Sequence, residues 1–443
     1  VRSRGLGDVY KRQVVVVEKQ MTVELTVLGA GREVGRAAVL ISNTRSDSNI
    51  VLDYGVSFDE NDRPLLPLSI PPSRLTAVLI THAHLDHIGA SPILYISARP
   101  IAVMSRLTAE LGKLMIEDML RLSGYYLPFE YPELMSMLEN VKTVGLGESF
   151  WIDSIYVETL NSGHIPGGVM YRLVFGEESI LYTGDINTID TRLMKGLDVN
   201  KLEANILIME ATYGLYDHPE RQRVEELFIE TVRGVVEDGG TVLIPAFSLA
   251  RSQEILAILV ERMPYSSVYY DGMAKDILEL FLRHREFINR YDLLEKVYRT
   301  FTPVRGAEMR KKICREPGNI IVTPAGMLKG GPVQYYIKRL WDNTKNAIIL
   351  VSYQAPTTPG RRLLVEGSLE SEGPRVKAKV FWYDFSSHAG ASELFNLVKN
   401  VRGLESVVLI HGNEDSIYKL GYRIKEELGL DFIAPKNGEK VAL

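Results

Sequence analysis

Nine short apolar runs rich in β-branched residues recur along the chain. They are VELTVLG (23–29), NIVLD (49–53), TAVLIT (76–81), SILYTGD (179–185), NILIMEA (205–211), GTVLIPA (240–246), NIIVTPAG (319–326), AIILVSY (347–353) and SVVLIHG (406–412). Each is closed by Gly, Pro or a polar residue, the pattern of strands buried on both faces. Helical periodicity fills the gaps. RVEELFIETVRGVV (223–236) puts Val224, Leu227, Phe228, Thr231, Val232 and Val235 on one face, and ASELFNLVKNV (391–401) does the same with Leu394, Phe395, Val398 and Val401. Strands alternating with helices predict an α/β protein built in layers. No internal repeat or low-complexity linker interrupts the pattern, so a second domain is expected as an insertion rather than a tethered unit.

Composition narrows this picture. At 443 residues the chain is too long for one ordinary core, and two domains are expected. No apolar run approaches the length of a membrane span. The single cysteine, Cys314, excludes an internal disulfide and a thiolate metal cluster. It suits a reducing compartment, so a cytoplasmic location is expected, and any metal must be held by histidine and carboxylate. Residues 1–20 lack the apolar core of a signal peptide. Because the periodic pattern begins at Met21, that residue is read as the native start and 1–20 as a foreign or disordered extension. A net charge of −5 argues against a generically basic nucleic-acid binder, but the charge is uneven. Residues 211–375 carry 23 Lys and Arg against 21 Asp and Glu, and the run RTFTPVRGAEMRKKICR (299–315) has six basic residues and one acidic. A solvated helix face is the first reading of that run, and a phosphate-binding patch the second.

Chemistry-bearing residues gather where the apolar runs stop: His82 after VLIT, Asp185 after LYTG, Glu210 after ILIM and His411 after VVLI. Strand ends are where layered α/β folds assemble ligand sites. The densest stretch is THAHLDHIGA (81–90), which holds three of the eight histidines. Spacing of two brings His82, His84 and Asp86 to one side of an extended loop, while His87 points elsewhere, so two adjacent ions could be served. Nitrogen and carboxylate oxygen without sulfur suit zinc, manganese or iron. A histidine-rich loop with no ion is the alternative, although histidine is seldom packed this densely without a function.

The His-x-His-x-Asp-His pattern resembles the metallo-β-lactamase fold, together with Asp53 in VLDYGVSF, His164 in NSGHIPGG and Asp185 in LYTGDIN. The second half narrows the resemblance. IMEATYG (208–214), PAFSLARSQEIL (245–256), TPAGMLKGGP (323–332), SYQAPTTPGRRLL (352–364), FSSHAGASEL (385–394) and LIHGNE (409–414) are similar to the β-CASP nucleases. The likeness is greatest to archaeal homologues of the cleavage and polyadenylation factor nuclease without N-terminal RNA-binding modules, and extends to RNase J. It implies an αββα sandwich over 21–210 and 376–443, with an inserted β-CASP α/β domain over 211–375.

The resemblance also implies a site. His82, His84 and His164 would hold one ion and Asp86, His87 and His411 a second, with Asp185 bridging, so that Asp86 and Asp185 share in catalysis. Asp53 would steer these ligands from behind, and His218 is given a similar supporting place. Two zinc ions are implied, with manganese the alternative. Such a pair, about 3.5–4 Å apart, suits in-line displacement at phosphorus. His388 would be the general acid, held by Glu210. Lys329, Gly330, Gly331, Arg361 and Arg362 would bind RNA phosphates, and His284 is expected to be a surface helix residue.

The implied activity is a zinc-dependent ribonuclease acting on single-stranded RNA, cutting internally and also from the 5′ end. Single-strand DNA cleavage is the alternative within the superfamily. An inactive RNA-binding scaffold and a small-molecule hydrolase are further alternatives. No membrane is involved. Family members often dimerise, so a homodimer is expected with no interface assigned.

Overall fold

The computed structural model describes residues 23–43, 46–123 and 126–442; the segment 1–20 and Met21 lie outside them. Each of the nine apolar runs contains a strand. They distribute over three large sheets. The first orders as Lys440–Ala442, Val23–Gly29, Ala38–Asn43, Ser48–Leu52, Ala77–Leu79, Ile101–Ser105 and Val141–Val144. The second orders as Phe432–Ile433, Ser406–Ile410, Ile206–Glu210, Glu178–Tyr182, Val169–Phe175, Ile155–Asn161 and Ser149–Ile152.

These two sheets face each other across one apolar layer, in which Leu25, Ile41, Ile50 and Leu79 of the first meet Val157, Tyr171, Ile180 and Ile208 of the second. Their outer faces are covered by helices. Arg106–Ser123 and Tyr131–Glu139 contribute Ile116, Met119, Leu134 and Met137 over the first sheet. Ala391–Asn400 and Glu414–Leu428 contribute Leu394, Val398, Ile417 and Leu420 over the second. This is the expected αββα sandwich.

The chain leaves the second sheet at Glu210 and returns in the neighbouring strand Ser406–Ile410, with which Ile206–Glu210 pairs in parallel. Between these points lies the third sheet. It is wholly parallel and orders as Thr302–Pro303, Val268–Tyr270, Ile320–Thr323, Val242–Pro245, Ala347–Leu350 and Lys379–Trp382. Its last strand lies beyond the expected edge at 375. KVFW is a half-exposed edge strand, with no buried apolar run to announce it in the sequence. One helical face also differs. In Arg221–Glu237, Leu227 is exposed and Ile229 is buried in its place, while Thr231 meets the Tyr383 hydroxyl at 2.6 Å. No helix of the described residues is long and apolar enough to cross a membrane.

Of the expectations about charged residues, one needs correction and one a single exception. His284 is buried, not exposed: its Nε2 lies 3.3 Å from Glu110 of the sandwich and its Nδ1 3.3 Å from Glu286. The basic run 299–315 is mostly the solvated surface first expected, with Arg310 the exception. Arg310 makes a two-pronged contact with the fully buried Asp271 carboxylate, at 2.6 and 3.0 Å, and the Tyr336 hydroxyl donates to the same carboxylate at 2.8 Å. Lys311, Lys312 and Arg299 pair with Glu308, Glu316 and Glu295 along their own helices. Arg310 therefore acts within the fold. Arg310→Ala, which strands Asp271, is expected to cost about 2–4 kcal/mol in chemical denaturation, less than a fully buried pair because the guanidinium is partly hydrated. A loss within about 0.5 kcal/mol would mean the pair is worth no more than a surface one.

Candidate active site

Strand ends from both facing sheets supply the site. Ser48–Leu52 is followed by Asp53, and Ala77–Leu79 runs into the 81–86 loop and the one-turn helix Leu85–Ile88. Across the sandwich, Glu178–Tyr182 leads to Asp185, Ile206–Glu210 ends on Glu210, and Ser406–Ile410 is followed by His411. Asp53 and His411 both hold positive φ, 56° and 48°, a costly conformation for residues with side chains and one that clusters at functional sites. His164 follows Gly163 at φ 71°, where a Cβ would lie 2.0 Å from the Asn187 carbonyl oxygen, so only glycine lets the loop close and present His164.

The side chains converge in two groups. His84 Nδ1 lies 3.0 Å from His82 Nε2 and 3.2 Å from His164 Nε2, and Asp185 Oδ2 lies 3.5 and 3.6 Å from those two Nε2 atoms. On the other side of Asp185, His87 Nε2 is 3.3 Å from Oδ2 and His411 Nδ1 is 3.4 Å from Oδ1. His411 Nε2 is in turn 3.4 Å from Asp86 Oδ2. Within each of the sets His82–His84–His164–Asp185, Asp86–His87–His411 and Asp185–Glu210–His411, the donor atoms lie within 4.8 Å of one another. His82, His87, His164, Asp185 and His411 are buried.

Behind these groups the chain fixes each ring. The fully buried Asp53 carboxylate accepts the Thr81 N–H at 2.7 Å, the Thr81 hydroxyl at 2.8 Å, the Tyr182 hydroxyl at 2.9 Å and His87 Nδ1 at 2.8 Å. The Thr81 hydroxyl also lies 3.0 Å from His82 Nδ1, and His164 Nδ1 donates to the Ser387 carbonyl at 2.8 Å. In His82, His87 and His164 an outer contact at Nδ1 leaves Nε2 facing inward, which is how metal-binding imidazoles are oriented.

Burial pushes His82, His164 and His84 down, His84 to about 4, and so favours the neutral imidazole that binds metal. Burial acts the same way on His87 but is overridden by Asp185 and Asp53, which raise it. Burial opposes ionisation of Asp185, yet His87, His411 and His388 hold it well below the usual carboxylate range. His87 Nε2 and Asp185 Oδ1 are buried and make no hydrogen bond, an expensive arrangement for a nitrogen and oxygen facing one space. A sulfur-free set of inward nitrogens and carboxylates with orphaned atoms fits divalent cations of the zinc class.

His388 sits at the open side, its ring 4.6 Å from that of His164. Its Nδ1 lies 3.0 and 3.2 Å from the two Glu210 oxygens, and Glu210 also accepts the Ile186 N–H at 2.7 Å. Burial alone would lower His388, but Glu210 and Asp185 override it and raise it to about 9.

Family comparisons agree with this architecture. Residues 31–226 match the metallo-β-lactamase superfamily, 252–363 the Beta-Casp domain, and 373–435 the Zn-dependent metallo-hydrolase RNA specificity domain. The chain is 47% identical over 427 residues to RNase aCSPSF2 of Saccharolobus solfataricus, covering 96% of this chain and 86% of that one. The chain is a β-CASP member of the metallo-β-lactamase superfamily. It is also 35% identical to the Probable RNase MJ4 of Methanocaldococcus jannaschii, covering 95% of this chain and all of that one. It is 31% identical to the transcription termination factor FttA of Pyrococcus horikoshii, covering 96% and 72%. A crystal structure of a protein of unknown function from Enterococcus faecalis shares the fold, with a TM-score of 0.64 at 16% identity over 95% of this chain and all of that one.

The residues expected to contact RNA in this β-CASP protein are more scattered. Lys329 reaches across to the sandwich, its Nζ 2.6 Å from Asp62, with both side chains exposed. Gly330 and Gly331 both hold positive φ, 71° and 65°. Arg361 is exposed, whereas Arg362 is engaged by Glu366 and the Leu369 carbonyl. His218 contacts Asp384 at 2.7 Å and the Tyr213 ring at 4.4 Å, so it supports Tyr213 rather than one of the grouped donors. Sequence reasoning missed Thr81, Tyr182, Ser387 and Asp384. Asp384 alone had a legible signal, an acid just before FSSH; the others are revealed only by their hydrogen bonds to Asp53 and His164.

The Glu210 contact makes stability depend on the protonation of His388. Because its folded-state value is raised, the stabilisation from pairing with Glu210 is full below the ordinary imidazole range and is lost as pH rises through about 9. NMR titration of metal-stripped protein is expected to find His388 protonated at neutral pH, and Glu210→Gln to move its midpoint back toward or below the ordinary imidazole range. An unmoved midpoint would remove Glu210 as the controlling group.

Proposed function

We propose that the protein is a metal-dependent ribonuclease that hydrolyses phosphodiester bonds of single-stranded RNA in RNA processing, 3′-end formation or decay. Internal cutting is its main mode, with 5′→3′ exonuclease action as a second. The observation that carries this reading is the Glu210–His388 pair at the open edge of a buried nitrogen and oxygen donor set. The names of the relatives, two RNases and a transcription termination factor, support RNA over DNA. We take the resident ions to be two zincs, with manganese as the alternative, and the setting to be cytoplasmic. A homodimer belongs to the same reading.

His82, His84 and His164 would hold one ion and Asp86, His87 and His411 the other, with Asp185 between them. When bound, such ions supply charge neutralisation at a phosphate and activation of water for attack. The chain does the rest. Asp53, Thr81 and Ser387 keep the ring nitrogens turned inward. Glu210, held by the Ile186 N–H, fixes His388 through Nδ1 and keeps it protonated. As the bond from water oxygen to phosphorus forms and the bond from phosphorus to the 3′ oxygen breaks, His388 gives its proton to that leaving oxygen; the proton lost by the water passes to solvent, from which His388 is reprotonated. The products carry a 5′-phosphate and a 3′-hydroxyl.

His388→Ala is expected to lower kcat by about 10²–10⁴, the range for losing a positioned general acid, with the metal content by elemental analysis unchanged. Loss of metal in this variant would make His388 a ligand instead. Matched 5′-labelled RNA and DNA oligonucleotides test the substrate: a ladder of internal RNA products supports the reading, immediate mononucleotide shifts it to exonuclease action, and preference for DNA overturns it.

A further inference from the structure

Four large aromatic side chains remain exposed on four segments of the chain, one of them linked to His388 through Tyr213. Tyr216, Tyr353 and Trp382 are about half-exposed, and Phe247 about a third. The Tyr213 ring lies 5.8 Å from the His388 ring, and the Tyr216 ring lies 5.7 Å beyond it at 75°. Burial raises Tyr216, and the proximity of Tyr353 and Asp384 adds to the shift. The Trp382 indole N–H donates at 3.2 Å to the carbonyl of Ser352, the residue before Tyr353. Phe247 joins the same rim. A Cβ on Gly326 would lie 2.9 Å from Ser352 Oγ and 3.1 Å from the Phe247 nitrogen, so the three loops close on one another at that glycine.

All four rings therefore belong to one edge. Phe247, Tyr353 and Trp382 lie at the carboxyl ends of the parallel strands Val242–Pro245, Ala347–Leu350 and Lys379–Trp382, where such sheets receive ligands. Tyr216 links that edge to Tyr213 and His388. On neighbouring segments, Lys329 is held only by an exposed ion pair and Arg361 is solvent-facing. A surface pair of that kind holds a side chain weakly, so a phosphate can displace Asp62. An edge of exposed rings that reaches the catalytic imidazole through Tyr213, with exchangeable cations on neighbouring segments, matches a chain that presents one flat base per phosphate.

We propose that Tyr216, Tyr353, Trp382 and Phe247 form a stacking track for the unpaired bases of nucleotides next to the scissile phosphate, and that this track selects single-stranded over duplex RNA. The proposal rests on the ribonuclease reading and deepens it. Only an unpaired base can leave its neighbours and lay a face on a protein ring, so a duplex gains nothing from the track. Stacking also tolerates sequence, because every base has a π-face.

The test uses the full chain, stripped of metal so that binding is read without turnover, and a short unstructured fluorescent oligoribonucleotide followed by anisotropy. Tyr216→Ala and Tyr353→Ala are each expected to weaken binding about 5- to 100-fold, as loss of one stacked base does. Tyr353→Phe, which keeps the ring, is expected to bind as the parent does. So is Tyr265→Ala, which removes a fully exposed ring just before strand Val268–Tyr270, at the opposite end of the inserted sheet. An abasic oligomer of equal length should bind the parent protein as weakly as the alanine variants bind RNA, and the preference over duplex should shrink in those variants. Parental affinity in both alanine variants, or equal binding of the abasic chain, overturns the track while leaving the ribonuclease reading intact. A parent protein that binds no RNA overturns both. Thermal melting confirms that each variant is folded.

Discussion

The site depends on one buried charge, the Asp53 carboxylate. A carboxylate with no exposure is tolerable only when its oxygens are fully engaged, since desolvating an unpaired one costs many kcal/mol. Asp53 is engaged from both sheets of the sandwich: Thr81 and His87 come from the first, and Tyr182 from the second. Its hydrogen bonds therefore do two things at once. They lock the relative position of strands that lie far apart in the chain, and they decide which nitrogen of His87 faces Asp185. Through Thr81 the same carboxylate reaches His82. Stability of the sheet ends and orientation of the donors are one set of contacts here, so the site cannot loosen without exposing a charge.

The inserted domain is built into this arrangement rather than laid over it. Its main apolar cluster includes Ala83, Ile165, Leu107, Leu111, Leu193 and Met194 of the sandwich. Ala83 lies between His82 and His84, and Ile165 directly follows His164. A buried polar network runs alongside. Glu254 of the insert accepts the Leu193 N–H at 3.0 Å and pairs with Arg221, which also pairs with Glu225, and Glu225 pairs with Arg192 of the sandwich. His284 adds its contact to Glu110. Breaking such a network leaves charges uncompensated, so these contacts specify one docking geometry more than they add net stability.

Much of this was legible in the sequence because the site residues stand where apolar runs end. Nine runs became strands, and the histidines and acids that follow them were brought together by the sheets. What stayed illegible has a common physical cause. Lys379–Trp382 is an edge strand and lacks the buried pattern that marks a central one. His284 and Arg310 sit in charged stretches that read as solvated, yet each is claimed by an acid from another element, Glu110 and Asp271. Sequence reports the charge of a run; only tertiary pairing reports whether that charge is free to meet a ligand. By that criterion Arg310 is spent inside the fold, while Arg299, Lys311, Lys312, Lys329 and Arg361 retain exposed side chains.

The insert bears on the donor set without contributing a donor to it. Arg251, at the start of the helix Arg251–Arg262, donates to the Val351 carbonyl of the inserted sheet and, at 3.3 Å, to Ser387 Oγ. Ser387 also supplies the carbonyl that accepts His164 Nδ1. One residue of the FSSH loop thus joins a strand end of the insert to the orientation of an inward-facing imidazole. His388, next in sequence, is held by Glu210 from the second sheet of the sandwich. The loop is tied on one side to the insert and on the other to the sandwich, so a change in the docking of the two is felt first at His164 and His388, the residues it orients or carries.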